Sequence, residues 1–231
     1  MSVTTSEIAA VAFDAVGTLI EPFPSVARAY ADAAERQGVV LDPAEVKTRF
    51  GRWFRVDEVD ETKGPMATDE AIERARWRRI VGNVLPEVAD PERAFQELWD
   101  HFGRATAWRV FDDVVPALEI LRTAGVPFVT ASNFDARLRS VLAGLPGLSD
   151  LAESAVISSL VGYRKPHSRF YACTAEALGV DPARVLFIGD DPVNDLEGPR
   201  RAGMSAARLD RGGGSAESDL LRLLRSHLGD R

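Results

Sequence analysis

A single apolar run, "IAAVAFD" (8–14), stands alone near the start of this chain, and about 90 residues of helical pattern separate it from the next run of its kind. An unbroken apolar run suits a strand covered on both faces. Its partners in a sheet must therefore arrive from far downstream. They do so in a regular order after about Trp108. The strand-like runs "VPFVTAS", "SAVISS", "RVLFIGD" and "MSAARL" alternate with helical "DDVVPALEILRTAG", "DARLRSVLAGL", "SRFYACTAEALG" and "DLEGPRRAG", and "SAESDLLRLLRSHL" closes the series. Strict alternation predicts a parallel sheet in a doubly wound, Rossmann-like α/β fold.

The intervening stretch predicts helices only. "SVARAYADAAERQG" opens on a Ser cap and "DPAEVKTRFGRWF" on an Asp-Pro pair, a helix-start signal. "TDEAIERARWRRIVGNVL" carries Ile72, Ala75, Arg76, Arg79 and Ile80 at helical spacing, with Trp77 and Val81 widening one face, and "DPERAFQELWDHFG" is a fourth helix. The simplest arrangement is an α/β core made of residues 1–20 and 108–231, with an all-helical cap, 21–107, inserted after the first strand. Ligands in such folds bind beyond the carboxyl ends of the strands. The insertion leaves from that edge, where it can cover the site as a lid.

The formal net charge of −7 argues against broad binding to nucleic acid or membrane surfaces. No run approaches the roughly 18 apolar residues that span a bilayer. The N-terminus lacks the regions of a signal peptide, and the one cysteine, Cys173, has no internal partner. A cytoplasmic protein is expected. Of 28 basic residues only Lys47, Lys63 and Lys165 are lysines. A lysine in so arginine-rich a chain marks a place where a compact ammonium suits better than a planar fork, which draws attention to Lys165.

Polar residues cluster where the strands end: Asp14 with Gly17 and Thr18, Ser132 with Asn133, Lys165, and Asp190, Asp191 and Asp195 in "FIGDDPVNDLEG". Each taken alone fits a turn or a helix cap. Brought to one rim by a parallel sheet, they offer a nucleophilic carboxylate, hydroxyl and amide donors, a cation, and an acidic cluster able to hold a metal.

In this order "FDAVGTL", "TASN", "RKPH" and "IGDDPVND" resemble the motifs of the haloacid dehalogenase-like (HAD) hydrolase superfamily, and the insertion is similar to that family's type 1 cap. "SNFDARL" and "GDDPVNDLEGPRRAGM" resemble the branch of haloacid dehalogenase-like hydrolase domain-containing proteins. The resemblance implies that Asp14 attacks phosphorus and becomes an aspartyl-phosphate. It implies Mg²⁺ held by Asp14, the Val16 carbonyl and Asp190 or Asp191, with Asp195 holding a metal-bound water or orienting Lys165. Backbone N–H groups near Gly17 and Thr18, helped by Ser132 and Lys165, would cradle the phosphate, and Asn133 would position a small phosphorylated metabolite.

Position 16 departs from the pattern. The family's phosphatases carry there an Asp that protonates the leaving oxygen, help worth roughly 10²–10⁴-fold. Val16 transfers no proton. A phosphohydrolase for leaving groups that need none, such as acyl or aryl phosphates, fits this best, with Glu21 and His167 as replacement donors by position. Three alternatives remain: a 2-haloacid dehalogenase, whose halide needs no proton; a phosphonate-cleaving relative using Lys47 or Lys63 as a Schiff base; and a silent binding or regulatory protein. The arginine clusters "RFGRWFR" and "RARWRR" are expected on a solvated face, and Trp53, Trp77, Trp99 and Trp108 in the packing of the cap. No apolar stripe stands out as a dimer surface.

Overall fold

The computed structural model describes residues 7–58, 66–212 and 219–228. Lys63 lies outside them. Strand β1 (Ala10–Phe13) is followed by β2 (Ile20–Pro22), then helices α1 (Val26–Glu35), α2 (Pro43–Glu58), α3 (Glu70–Val84) and α4 (Pro91–Phe102), and then β3 (Trp108–Val110). The alternating part supplies α5 (Val114–Thr123), β4 (Phe128–Ser132), α6 (Arg137–Ala143), α7 (Leu151–Ser154), β5 (Val156–Ile157), α8 (Ser158–Val161), α9 (Ser168–Leu178) and β6 (Val185–Gly189). A π-helical turn (Pro192–Glu197), α10 (Gly198–Arg201), β7 (Ser205–Arg208) and α11 (Leu220–Leu228) complete it.

Five strands form a parallel sheet in the order β5-β4-β1-β6-β7. The isolated first strand thus lies in the middle. Its side chains explain why it is apolar throughout: Val11 and Phe13 pack on one face with α5, α6 and α11, while Ala10 and Ala12 pack on the other with Phe170, Tyr171 and Phe187. The alanines leave room for those three rings on that face.

The helices begin where their caps dictate. Ser25 accepts from the Arg28 N–H, Asp69 from Ile72, and Asp90 from Arg93 with Pro91 in the first turn. Their apolar faces close a separate cluster around Tyr30, Ile80 and Phe95. In α3 the buried face is Glu73, Arg76, Ile80, Val81 and Val84, whereas Ile72, expected on that face, is exposed. The buried stripe is turned by one residue because Glu73 and Arg76 have polar partners inside.

Several contacts tie the helical region to the sheet. Strands β2 and β3, which the sequence did not announce, pair antiparallel, so the outgoing and returning chains run side by side. Further on, the Arg164 N–H donates to the Met66 carbonyl (2.9 Å) and the Thr68 N–H to the Gly162 carbonyl (3.0 Å). The Glu70 carboxylate accepts from the Ala136 N–H (2.9 Å) and from the Ser159 hydroxyl. Three of these four bonds fall on residues 159–164, just before Lys165, and the fourth on the start of α6.

Candidate active site

Asp14 directly follows β1, Ser132 ends β4, and Asp190 directly follows β6. These strands are neighbours in the sheet, so the three residues share one rim. Lys165 arrives differently. The run "SAVISS" is a strand only over Val156–Ile157, then becomes helix α8, and a turn delivers Lys165. The backbone here is held by Asn133: its amide N–H donates to the Lys165 carbonyl (3.1 Å), and its carbonyl oxygen accepts the Lys165 N–H (2.7 Å). Asn133 thus holds the Lys165 backbone while itself lining the cavity.

Lys165 is buried and its Nζ donates to Asp14 Oδ1 and Asp195 Oδ1, each at 2.7 Å. Burial opposes its charge, but the two carboxylates outweigh it and hold the ammonium above the usual lysine range. Asp195 meets burial too, which pushes its carboxyl upward together with the charge of Asp14, against the pull of Lys165. Its second oxygen accepts the Asp191 N–H (3.0 Å). Gly189 makes this packing possible, since a Cβ there would lie 2.3 Å from the Asp195 carboxyl carbon.

The adjacent acids, Asp190 and Asp191, part company. Asp191 caps the π-helical turn, accepting from the N–H groups of Val193 (2.9 Å) and Asn194 (2.7 Å). Asp190 joins Asp14 and Asp195 in a cluster whose carboxylate oxygens lie within 4.8 Å of one another. Burial, then the charge of Asp14, pushes the Asp190 carboxyl up to about 6. Three acids facing one buried lysine form a hard-oxygen donor set short of positive charge, which is the chemistry that fits Mg²⁺.

The loop after Asp14 shows why Gly17 is needed. Its φ is +86°, and a Cβ would lie 2.6 Å from Asp190 Oδ2. Two of the nearby amides are engaged within the loop, while Val16 and Gly17 line the cavity. The Gly17 N–H donates to the Ile20 carbonyl and the Thr18 N–H to the Ala15 carbonyl, closing the loop on itself. The Thr18 carbonyl is anchored by Arg211 (2.6 Å), which also pairs with Asp113 (2.8 Å).

The rim opens into a cavity of about 370 Å³ that Asp14, Val16, Gly17, Ser132, Lys165 and Asp190 line from below. Its other walls come largely from the cap. Trp77, Trp99 and Trp108 line it, contrary to the expectation that they serve packing alone, whereas Trp53 does not. Arg76, expected in solvent, is buried, lines the cavity and lies 3.7 Å from buried Glu73, which also sits 3.6 Å from Arg164. The solvated-face reading holds for Arg49, which bridges Glu45 and Glu87. Of the replacement donors, Glu21 pairs with Arg109 (2.5 Å), and His167 caps α9 and stacks on Tyr163; neither lines the cavity. Sequence reasoning missed Tyr30, Phe50, Phe54, Arg137 and Arg164 as lining residues. Arg164 stands beside Lys165, Arg137 falls in "SNFDARL", and Phe50 and Phe54 fall in "RFGRWFR"; Tyr30 had no neighbouring signal.

A carboxylate at the central strand end, a buried lysine against it and an acidic cluster on the next strand define a hydrolase site of the HAD type. The family of haloacid dehalogenase-like hydrolases matches the chain over residues 8–203, and the chain belongs to it. It is 31% identical over 210 residues to a protein of Mycobacterium tuberculosis (strain CDC 1551 / Oshkosh) named as a phosphatase, covering 89% of each chain. It is 26% identical over 203 residues to the human haloacid dehalogenase-like hydrolase domain-containing protein 3, covering 86% of this chain and 80% of the other. In fold it is similar to a defluorinating L-2-haloacid dehalogenase (TM-score 0.75, 19% identity, 95% of each chain). A HAD phosphatase from Thermococcus onnurineus matches with TM-score 0.67 at 22% identity, over 96% of this chain and 98% of that one. Among the described residues no helix is long and apolar enough to cross a membrane.

Proposed function

We propose that the protein is a Mg²⁺-dependent phosphohydrolase that acts on small phosphorylated metabolites whose leaving group needs no proton. The convergence of Asp14, Asp190 and Asp195 carries this reading. A carboxylate nucleophile alone does not need two further acids beside it, and without a cation they repel each other.

Asp14, Asp190 and the Val16 carbonyl would hold the metal, with Asp195 at its edge. When bound, Mg²⁺ supplies positive charge that lets an anionic nucleophile approach an anionic phosphate. Lys165 engages Oδ1 of Asp14 and leaves Oδ2 to attack phosphorus. The P–O bond to the leaving group breaks as the aspartyl-phosphate forms, and the leaving group departs with the electron pair. Lys165 and the Ser132 hydroxyl would share the phosphate's charge. Water then attacks phosphorus and restores the Asp14 carboxylate. With Val16 facing the cavity, neither step has the usual side-chain acid or base.

Phosphate release from acetyl, p-nitrophenyl and alkyl phosphates, with Mg²⁺ and with EDTA, tests this. Turnover is expected to vanish in EDTA, to fall about 10⁴-fold in Asp14→Asn, and to drop steeply as the leaving group becomes more basic. Full activity in EDTA overturns the metal, and an active Asp14→Asn overturns the nucleophile. A second reading, a dehalogenase-type hydrolase, is favoured by Val16 and by the apolar cavity, and halide release without metal would establish it. The Schiff-base reading loses Lys47, which is exposed on α2 and does not line the cavity. A silent binding protein would take up Mg²⁺ and phosphate with no release from any ester.

A further inference from the structure

The roof of the cavity says what the leaving group is made of. Phe50 lies nearly parallel to Phe54 (5.5 Å, 22°) and to Trp77 (6.4 Å, 18°), while Phe54 and Trp77 are tilted by 39° to each other at 6.0 Å. A second set of rings, Phe102, Trp108 and Phe134, follows in edge contact at 5.9 Å steps. Both sets line the same space as Asp14 and Lys165.

Polar partners are few on this side. The described cap residues that line the cavity offer Tyr30 and Arg76, besides the indole N–H groups of Trp77 and Trp99. Of the polar lining residues beyond the cap, Arg137 is engaged by Asp135 and the Trp99 carbonyl, Arg164 lies 3.6 Å from Glu73, and Asn133 is engaged by Lys165. Arg76 itself lies 5.0 Å from the Phe54 ring centre and 5.5 Å from that of Trp77. A sugar or polyol phosphate would bury several hydroxyls here with little to bind them, at a cost of about 1–3 kcal/mol for each one left unsatisfied. A flat apolar group fits without that penalty, and aromatic faces favour stacked or edge-on partners. The volume, about 370 Å³, lies in the ordinary range for a small-ligand site.

We propose that the substrate is an aryl phosphate, its ring seated against Phe50, Phe54 and Trp77 while its phosphate reaches Asp14. This rests on the phosphohydrolase reading and narrows it. Val16 supports the same choice independently, because an aryl oxide is stable enough to leave unprotonated. In the step, Asp14 Oδ2 bonds to phosphorus as the P–O(aryl) bond breaks. The aryl oxide keeps the electron pair and takes a proton from solvent. Water then releases inorganic phosphate, so water is the sole co-reactant.

The test compares three substrates on the intact protein with saturating Mg²⁺: 1-naphthyl phosphate, a fluorinated secondary-alkyl phosphate whose alcohol matches naphthol in acidity, and acetyl phosphate. The expected kcat/KM for the naphthyl ester exceeds that of the acidity-matched alkyl ester by about tenfold or more. Trp77→Ala and Phe54→Leu are expected to shrink that ratio, mainly by raising KM for the naphthyl ester. A ratio near one in the unaltered protein, with both esters and acetyl phosphate turned over, sinks the aromatic proposal and leaves the phosphohydrolase standing. No release from any of the three, acetyl phosphate included, sinks both.

Discussion

The floor and the roof of the cavity are built by opposite rules. The floor is made of strand ends, and its charged groups are tied to one another: Asn133 clamps Lys165, Lys165 bridges Asp14 and Asp195, and Asp191 caps the turn that presents Asp195. The roof is made of helix faces and is mostly aromatic carbon. A floor of this kind fixes the reaction to within small displacements, because each charge is held by its neighbours. A roof of this kind selects by shape and by what it fails to solvate. Chemistry and specificity therefore sit on different parts of the chain and are open to separate attack.

The largest expected effect comes from the floor. Lys165→Met removes the cation between two buried carboxylates and leaves both without their partner. Breaking a buried pair in this way costs about 3–5 kcal/mol, and loss of a positioned charge at the phosphate lowers kcat by about 10³-fold. Denaturant unfolding and phosphate release on the same preparation check both. A variant that unfolds normally yet is inactive would assign Lys165 to chemistry alone. One that is destabilised yet active would make it a structural cation and break the claim that the floor's charges serve the reaction.

A middle-sized effect separates binding from stability. The Asp190 carboxyl is pushed up to about 6 from an ordinary 3.8 by burial and by Asp14. An acid whose folded pKa is raised favours the folded state when protonated, so its contribution is full at low pH and is lost as pH rises through about 6. Without metal, Asp190→Asn is expected to be more stable than the parent by about 1–2 kcal/mol at about pH 7.5, and about equal to it near pH 4. Millimolar Mg²⁺ should raise the Tm of the parent and leave that of the variant nearly unmoved. A parent that gains nothing from Mg²⁺ would remove the cation from the floor.

How much of this could be read beforehand follows the same division. The core was legible because "IAAVAFD" has no polar face, and only a central strand tolerates that. The floor was legible because Asp14 and Asp190 follow apolar runs directly, and Ser132 ends one. The choice between Asp190 and Asp191 was not, since it depends on the direction of the chain leaving β6. That the N–H groups of Gly17 and Thr18 close their own loop was not legible either, since it depends on how the chain turns after Asp14. The roof was illegible for a plainer reason. Phe50 and Phe54 stand four residues apart on α2, as two core residues would, and helical spacing says only that a face is buried. Whether that face meets another helix or a cavity is decided by packing. Arg76 looked solvated in a run of arginines; its partner Glu73 stands one helical turn away, but only the folded chain buries that pair and brings Arg164 within 3.6 Å of Glu73.

The smallest expected effect falls where floor and roof meet. Val16 lines the cavity and packs against the core cluster. Val16→Asp would place a carboxyl group beneath an apolar roof, and desolvation there raises its pKa and keeps part of it protonated near neutral pH. That is the state a general acid needs, and a poorly tuned one should raise phosphate release from alkyl esters about tenfold. Release from aryl esters should change by less than about threefold, because their leaving group gains little from a proton. The two slopes of rate against leaving-group basicity, measured with parent and variant at equal Mg²⁺, decide the matter. A shallower slope in the variant makes the missing acid the reason for the restriction to good leaving groups. An unchanged slope moves that restriction from the floor to the roof, where the aromatic walls would be excluding alkyl esters before chemistry begins.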